Sequence, residues 1–301
     1  MGLPVFNSPR LRMIYMKQLL IIVLCLCIPF CICGCQAESQ AQIVATTLPV
    51  YEFTQSLCEG TGLSIERLIT QEVSCLHDFS LQTHQMRMLE GASVVVISGG
   101  GLESFLDGIQ LPGTVIDASS QTVLHCTEHT HEGHDHEHDP HYWLSPDHAK
   151  RMVLTITQGL IAKYPEHKGQ LEANSLALLE KLDALDAYGK EVLRDLSCRK
   201  LITFHDGFSY FAEHFDLQIL HSMEEEAGSE ASAKELIELI GLVTDQQLPG
   251  IFIEKSGSDS AARIISAETG TGIFTLDMAM AGNSYFEAMY HNIDTVKEAL
   301  G

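Results

Sequence analysis

The sequence predicts an α/β fold with two doubly wound parallel-sheet lobes joined by one long rigid helix. Two alternations of strand-like and helix-like segments, separated by a leucine repeat, lead to this prediction. The chain has 301 residues, of which 45% are hydrophobic and 19% charged. That length and composition suffice for two lobes with buried cores.

The first alternation begins at Ile43. A strand-like run, IVATTLPV, is followed by an amphipathic segment over residues 51–57, by SIERLI, and by helical composition over residues 81–90. The next run, ASVVVISGG, is continuously β-branched and ends in glycines. Such a run is typical of a strand buried on both faces of a parallel sheet.

The second alternation begins near Cys198. RKLITFHDG predicts a strand and a turn, and LQILHSM and GIFIEK predict further strands. GFSYFAEHF and SAKELIELIGLVTDQ, which lie between them, predict helices, and GIFTL is expected to be the last strand. These segments predict a second α/β lobe.

Between the two alternations, residues 166–196 carry leucines and a valine at seven-residue spacing and contain no proline. We interpret this stretch as one helix of roughly 45 Å that crosses both lobes. Two helices broken near Gly189 are the alternative. The predicted bounds are therefore an N-terminal lobe over 36–165, a linker helix over 166–196 and a C-terminal lobe over 197–301.

Residues 1–35 predict a lipoprotein signal peptide. Three basic residues precede an apolar run from Leu19 to Cys33 that contains no acidic residue. The run is too short for a typical spanning helix and ends in small residues before Cys35, the expected lipidated residue. An uncleaved anchor is the alternative, and either version predicts an extracytoplasmic protein attached to the bacterial cell membrane.

Beyond Cys35 the chain carries 15 basic and 40 acidic residues, a formal net charge of −25. This charge argues against nucleic acid and anionic substrates and favours cations.

Four cysteines remain after the signal region: Cys58, Cys75, Cys126 and Cys198. They allow three pairings that spacing does not resolve, and we favour a Cys58–Cys75 bridge.

Residues 125–141, HCTEHTHEGHDHEHDPH, hold seven of the 15 histidines, interleaved with acidic residues and without an apolar period. Imidazole suits zinc, copper and nickel, so the segment predicts a loop that collects metal without a fixed geometry. A polar loop with no ligand role is the alternative. The histidines assigned to this auxiliary capture are His125, His129, His131, His134, His136 and His138.

Four other residues form a candidate metal site. His77, His141 and His205 each follow a predicted strand or enter a helix, and Asp277 follows the last predicted strand. Loops at the carboxyl ends of parallel strands converge on a crevice, so these side chains could share one ion in the cleft between the lobes. Three imidazoles and one carboxylate suit tetrahedral zinc.

The chain resembles the zinc and manganese substrate-binding lipoproteins of ABC importers (the metal-specific cluster A-I type), with matches over almost everything from Ile43 to Leu300. The matching segments are His77 with the following DFSLQTHQMRML, ISGGGLESFL, DPHYWLSPDHAKRM, TFHDGFSYF, IFIEKSGSDSAARIISAETG and LDMAMAGNSYFEAMYHNI.

The resemblance implies two lobes joined by a rigid helix, with one buried ion held by His77, His141, His205 and Asp277. It also implies a membrane permease with a cytosolic ATPase as partner, Zn²⁺ as the transported ligand, and no catalysis. The monomer is the expected state.

Two features indicate the zinc branch. Manganese-binding members are similar but carry a carboxylate where this chain has His205, and they lack a histidine-rich loop. The chain departs from the pattern at Cys75-Leu76, where members usually have an acidic residue and a proline. That departure places the thiol of Cys75 two residues before the candidate ligand His77.

The alternatives are a manganese or other transition-metal binder of the same type, a zinc-dependent hydrolase, and an adhesin or metal chaperone. The sequence has no HExxH motif, which disfavours the hydrolase. Glu254 ends a predicted strand and resembles a family position at the cleft. A role behind the ligands, a role as substitute ligand and a surface position are its alternatives, and it is left out of the ligand set. Four other histidines are expected to be surface residues: His84, His148, His214 and His221.

Overall fold

The computed structural model of the chain describes residues 42–71, 76, 79–125, 138–223 and 231–301. The first sheet contains four parallel strands, ordered β2-β1-β3-β4. They are β1 Ile43–Ala45, β2 Ile65–Arg67, β3 Val94–Ile97 and β4 Thr114–Asp117. The first three valines of β3 are completely buried, as expected for a strand covered on both faces.

The second sheet is also parallel and follows the order β6-β5-β7-β8. Its strands are β5 Lys200–Thr203, β6 Gln218–Ser222, β7 Gly250–Glu254 and β8 Gly272–Leu276. The predicted α/β fold with two parallel-sheet lobes is therefore confirmed.

Helices flank both sheets. They are α1 Leu48–Leu57, α2 Thr83–Gly91, α3 Pro146–Lys163, α4 Lys168–Val192, α5 Ser209–His214, α6 Ala233–Gln246, α7 Ser260–Thr269 and α8 Tyr285–Leu300. Short 3-10 turns occupy Ser104–Leu106, Tyr142–Leu144 and Pro165–His167. Among the described residues, no helix is both long and apolar enough to cross a membrane.

The first predicted strand ends earlier than the sequence suggests. The run IVATTLPV is a strand only as far as Ala45, and α1 begins at Leu48. Pro49 explains the change, because its fixed φ and missing N–H suit the first turn of a helix and not a central strand.

The predicted long helix is confirmed as α4, a single helix of 25 residues and about 37 Å. It starts after a 3-10 turn and ends at Val192, somewhat inside the predicted 166–196. It continues unbroken through Gly189, whose missing side chain makes room for Phe215. A Cβ at Gly189 would lie 2.4 Å from the Phe215 ring and 3.1 Å from Ile293.

The two lobes share an apolar core. A single cluster of buried side chains runs from Ile43 in β1 to Leu300 in α8 and includes the inward-facing leucines of α4. A second, smaller cluster lies within the C-terminal lobe and contains Ile202 and Ile251. Continuous packing between the lobes opposes large relative rotation. The domain bounds given above stay a prediction.

The favoured Cys58–Cys75 bridge is wrong, because Cys58 is a free thiol at the end of α1. Its side chain is 3% exposed within the shared core, and burial raises the pKa of the thiol to about 12. Cys198 is also free and is partly exposed. Cys75 and Cys126 lie outside the described residues, as does the predicted signal peptide with Cys35.

Alkylation of the native protein tests the assignment of Cys58. With a pKa of about 12, roughly one thiol in ten thousand is ionised at pH 8, so we expect iodoacetamide to leave Cys58 unmodified. Peptide mass spectrometry should find it alkylated after denaturation without reductant, with the partly exposed Cys198 as the internal control. Failure of denatured Cys58 to react without reductant would indicate a disulfide.

Replacement of Gly189 by alanine tests the packing of α4 against the C-terminal lobe. Alanine has the higher helix propensity, but its methyl group would overlap Phe215, so we expect a net loss of about 1–3 kcal/mol in the free energy of unfolding. Gly169→Ala is the matched control, because a Cβ at Gly169, in the same helix, would meet open space. Urea unfolding that ranks the two variants alike would contradict this packing.

Candidate metal centre

Three adjacent strands of the second sheet, β5, β7 and β8, have polar side chains at or just beyond their carboxyl ends. His205 lies two residues after β5, Glu254 is the last residue of β7, and Asp277 directly follows β8. Because the strands are parallel, with Glu254 paired to Leu276 in register, these ends lie at one edge of the sheet. The edge opens into a small cleft that Glu254 and Asp277 both line.

His141 reaches the same region from the first lobe. It lies immediately before the 3-10 turn Tyr142–Leu144 and is 8% exposed. Its Nδ1 lies 2.8 Å from Oδ1 of Asp139, and its backbone N–H donates to the same oxygen at 2.9 Å. The bond at Nδ1 fixes the ring and leaves Nε2 as the nitrogen for a ligand.

The orientation of His141 also depends on the C-terminal lobe. Ser209, the first residue of α5, donates a short hydrogen bond from its hydroxyl to Oδ2 of Asp139. Burial raises the pKa of Asp139, but the hydrogen bonds and charge of His141, with the bond from Ser209, outweigh burial and leave the pKa below its usual value. Asp139 therefore stays an anionic acceptor for the imidazole.

The two described candidate histidines meet across the cleft. The rings of His141 and His205 lie nearly perpendicular, with centroids 5.4 Å apart. Gly207 permits this approach, because a Cβ there would lie 2.9 Å from Cδ2 of His205 and 3.1 Å from Nδ1 of His141. It would also lie 2.5 Å from Met278. The glycine of the TFHDG segment is thus required by crowding at the centre.

Glu254, left out of the predicted ligand set, belongs to this cluster. Its side chain is 5% exposed, and its Oε2 lies 3.4 Å from Nδ1 of His205. Burial, with a further contribution from the negative charge of Asp277, raises the pKa of Glu254 to about 8. The sequence signal was its place at the end of the IFIEK strand, next to the strand that leads to Asp277.

Asp277 is held from several directions. Its Oδ1 accepts from the backbone N–H of Ala279 at 2.8 Å, and its Oδ2 lies 3.2 Å from Nζ of Lys255. The side chain of the buried Asn292 bonds both the N–H and the carbonyl of Asp277, each at 2.7 Å. The carboxylate therefore has a defined position at the edge of the sheet.

The described residues alone do not complete a site. Within the described ranges, no three His, Cys, Asp or Glu side chains are grouped closely enough to hold one ion. His77 lies outside the described residues. The ligand set His77, His141, His205 and Asp277 therefore stays a prediction. Two imidazoles and two carboxylates are nevertheless donor types that zinc accepts.

Two histidines of the predicted capture loop are described, and they lie at its stem. The His125 ring stacks on Tyr210 at 4.1 Å, its Nε2 lies 2.9 Å from Glu213, and its carbonyl accepts from the N–H of Asp139. His138 is half-buried beside this stem. His129, His131, His134 and His136 lie outside the described residues.

The histidines expected at the surface divide into three cases. His84 on α2 and His221 at the end of β6 are exposed, as expected, and His148 is half-buried. His214 is a correction, because its side chain is 7% exposed. Its Nε2 lies 2.6 Å from Asp186 of α4, a contact between distant segments that helical periodicity cannot predict.

Comparison with known proteins identifies the family. The family model described as the periplasmic component A of the zinc-uptake complex (ZnuA) matches residues 43–299. The chain is 28% identical over 283 residues to the zinc-binding lipoprotein AdcA of Streptococcus pneumoniae serotype 4, which covers 85% of this chain and 55% of AdcA. The chain thus spans about half the length of that relative.

Solved structures agree with this match. A crystal structure of ZnuA has a TM-score of 0.75 and 26% identity, covering 87% of this chain and 100% of that one. The Zn(II)-bound ZnuA-like domain of S. pneumoniae AdcA has a TM-score of 0.73 and 27% identity, covering 87% and 99%. Since the family match spans most of the sequence, the chain belongs to the family of the periplasmic component A of the zinc-uptake complex.

Proposed function

We propose that this chain is the extracytoplasmic substrate-binding protein of a zinc ABC importer. It captures Zn²⁺ between its two lobes and delivers it to a membrane permease that a cytosolic ATPase drives. The observation that carries the proposal is the contact of His141 from one lobe with His205 from the other, beside Glu254 and Asp277 at the same edge of the second sheet. Family members are metal-binding transport components and not enzymes.

The proposed ligands are His77, His141, His205 and Asp277. Zinc prefers four ligands with nitrogen and oxygen donors, and His205 supplies a nitrogen where a manganese site would favour oxygen. Burial and the negative charge of Asp277 favour the protonated form of Glu254, and a divalent cation bound in the same cleft would favour its ionised form. Copper would bind as tightly or more tightly in vitro.

Zinc is first collected at the membrane surface. Cys35 carries the lipid anchor, and the histidines of residues 125–138 collect zinc at low affinity near the stem that packs on Tyr210 and Glu213. The protein acts as a monomer. The shared core and the long helix α4 oppose a wide hinge motion. Metal loading is therefore expected to cause only small shifts of loops and lobes.

Competitive zinc titration of the metal-stripped mature protein tests the site. We expect one tightly bound zinc per chain, and a loss of at least about 100-fold in affinity for His205→Ala because a ligand is removed. Deletion of residues 126–137, which spares His125 and His138 at the stem, should leave the tight site intact. His84→Ala, which removes an exposed histidine of α2, is the matched control. A preference for manganese, or unchanged affinity in His205→Ala, would contradict the proposal.

The role of Asp139 can be tested separately. Asp139→Asn places an amide where the carboxylate accepts from the His141 ring, so it favours the wrong tautomer, and we expect a 10- to 100-fold lower zinc affinity. Asp147→Asn, at a largely exposed carboxylate just beyond the same turn, should leave the affinity unchanged within about twofold. Equal affinities for both variants would show that Asp139 does not orient a ligand.

A further inference from the structure

The segment that follows Asp277 lies along the first lobe. Three of its carbonyls, at alternate residues, accept hydrogen bonds from that lobe. The indole Nε1 of Trp143 donates to the carbonyl of Met278 at 2.8 Å, and the backbone N–H of Leu48 donates to that of Met280 at 3.2 Å. We call residues 278–285 the crossing segment.

The third of these bonds comes from an arginine side chain. Nη1 of Arg67, the last residue of the edge strand β2, donates to the carbonyl of Gly282 at 2.8 Å. Gly282 has φ +91°, a conformation that side chains rarely adopt, and it turns the chain towards α8. The guanidinium also lies 5.8 Å from the centroid of the Tyr51 ring, which limits its freedom.

The end of the crossing segment is fixed by a carboxylate of the first lobe. Glu52 of α1 accepts from the hydroxyl of Ser284 at 3.1 Å and from the backbone N–H of Tyr285. It therefore caps α8 from outside that helix and complements the positive end of its dipole. The hydroxyl of Tyr285, which is completely buried, donates to the carbonyl of Trp143 at 2.8 Å.

Asp277 is connected to the crossing segment and to α8 by hydrogen bonds. Its carboxylate accepts from Ala279, within the crossing segment, and its backbone is bonded on both sides by Asn292 of α8. A shift of the segment or of the start of α8 therefore moves the carboxylate relative to His141. The affinity of a metal site depends on ligands held within about 0.5 Å of the productive geometry.

We propose that Arg67 is a positioning residue of the metal centre: with Glu52, it holds the crossing segment against the first lobe and so sets the place of Asp277. This inference rests on the proposed function. Asp277 belongs to the second lobe in sequence, yet groups of the first lobe fix the segment that carries it. Without Arg67, zinc binding must also order this segment, and that cost appears as weaker affinity and faster release.

A double-mutant cycle on the metal-stripped mature chain tests the proposal. Zinc affinity and dissociation rate are measured for wild type, Arg67→Met, Asp277→Asn and the double variant. We expect Arg67→Met to weaken zinc binding about 10-fold, mainly through faster dissociation, and this loss to shrink to about twofold or less in the Asp277→Asn background. Arg67→Lys, which keeps a donor near Gly282, should recover part of the affinity.

Arg199→Met is the matched control. Arg199 donates to the carbonyls of Leu193 and Arg194 at 2.8 Å and to those of Phe215 and Asp216 at 3.1 Å. It thus stabilises loops as Arg67 does, but beside the amino-terminal end of β5, opposite the edge that carries the centre. We expect it to lower the thermal midpoint of the metal-free protein while leaving zinc affinity unchanged within about twofold.

The absorption of bound Co²⁺ gives a readout that does not depend on affinity. We expect its d–d bands to change in Arg67→Met and to match wild type in Arg199→Met. Equal zinc losses for Arg67→Met in both backgrounds, or zinc losses that follow thermal stability in both arginine variants, would overturn the inference. If Asp277→Asn bound zinc like wild type, the assigned ligand set would fail, and Arg67 could not act through Asp277.

Discussion

The parallel direction of the strands in the second sheet is the constraint on which the candidate centre depends. Since β5, β7 and β8 run the same way and are neighbours, the residues at their carboxyl ends lie at one edge. That edge brings together His205, Glu254 and Asp277, which are separated by tens of residues in the chain. Burying two carboxylates at one edge is costly without a cation, and the raised pKa of Glu254 reflects this cost.

The second requirement is that the first lobe face this edge at a defined distance. Three features maintain this distance: the core shared by the lobes, the long helix α4, and the hydrogen bonds along the crossing segment. His141 is oriented through Asp139, which Ser209 of the other lobe also contacts. Each lobe thus helps to position the ligand candidates of the other.

Much of the fold was predictable because it is encoded locally. Apolar runs of β-branched residues predicted β3 and β7, and the heptad leucines predicted α4. Boundaries were less predictable where one residue type outweighs a pattern, as Pro49 does at the start of α1. The Cys58–Cys75 pairing failed because spacing carries no information on burial, and Cys58 lies inside the core.

By itself, the sequence determined the fold class, the two-lobe order, the acidic surface and the residue types at the strand ends, since periodicity and composition are local properties. The tertiary structure decided what depends on contacts between distant segments. It brought Glu254 to the candidate centre, placed Asp139 behind His141, buried His214 against α4 and laid the crossing segment on the first lobe. No periodic pattern records such contacts, because they arise only when separate elements pack together.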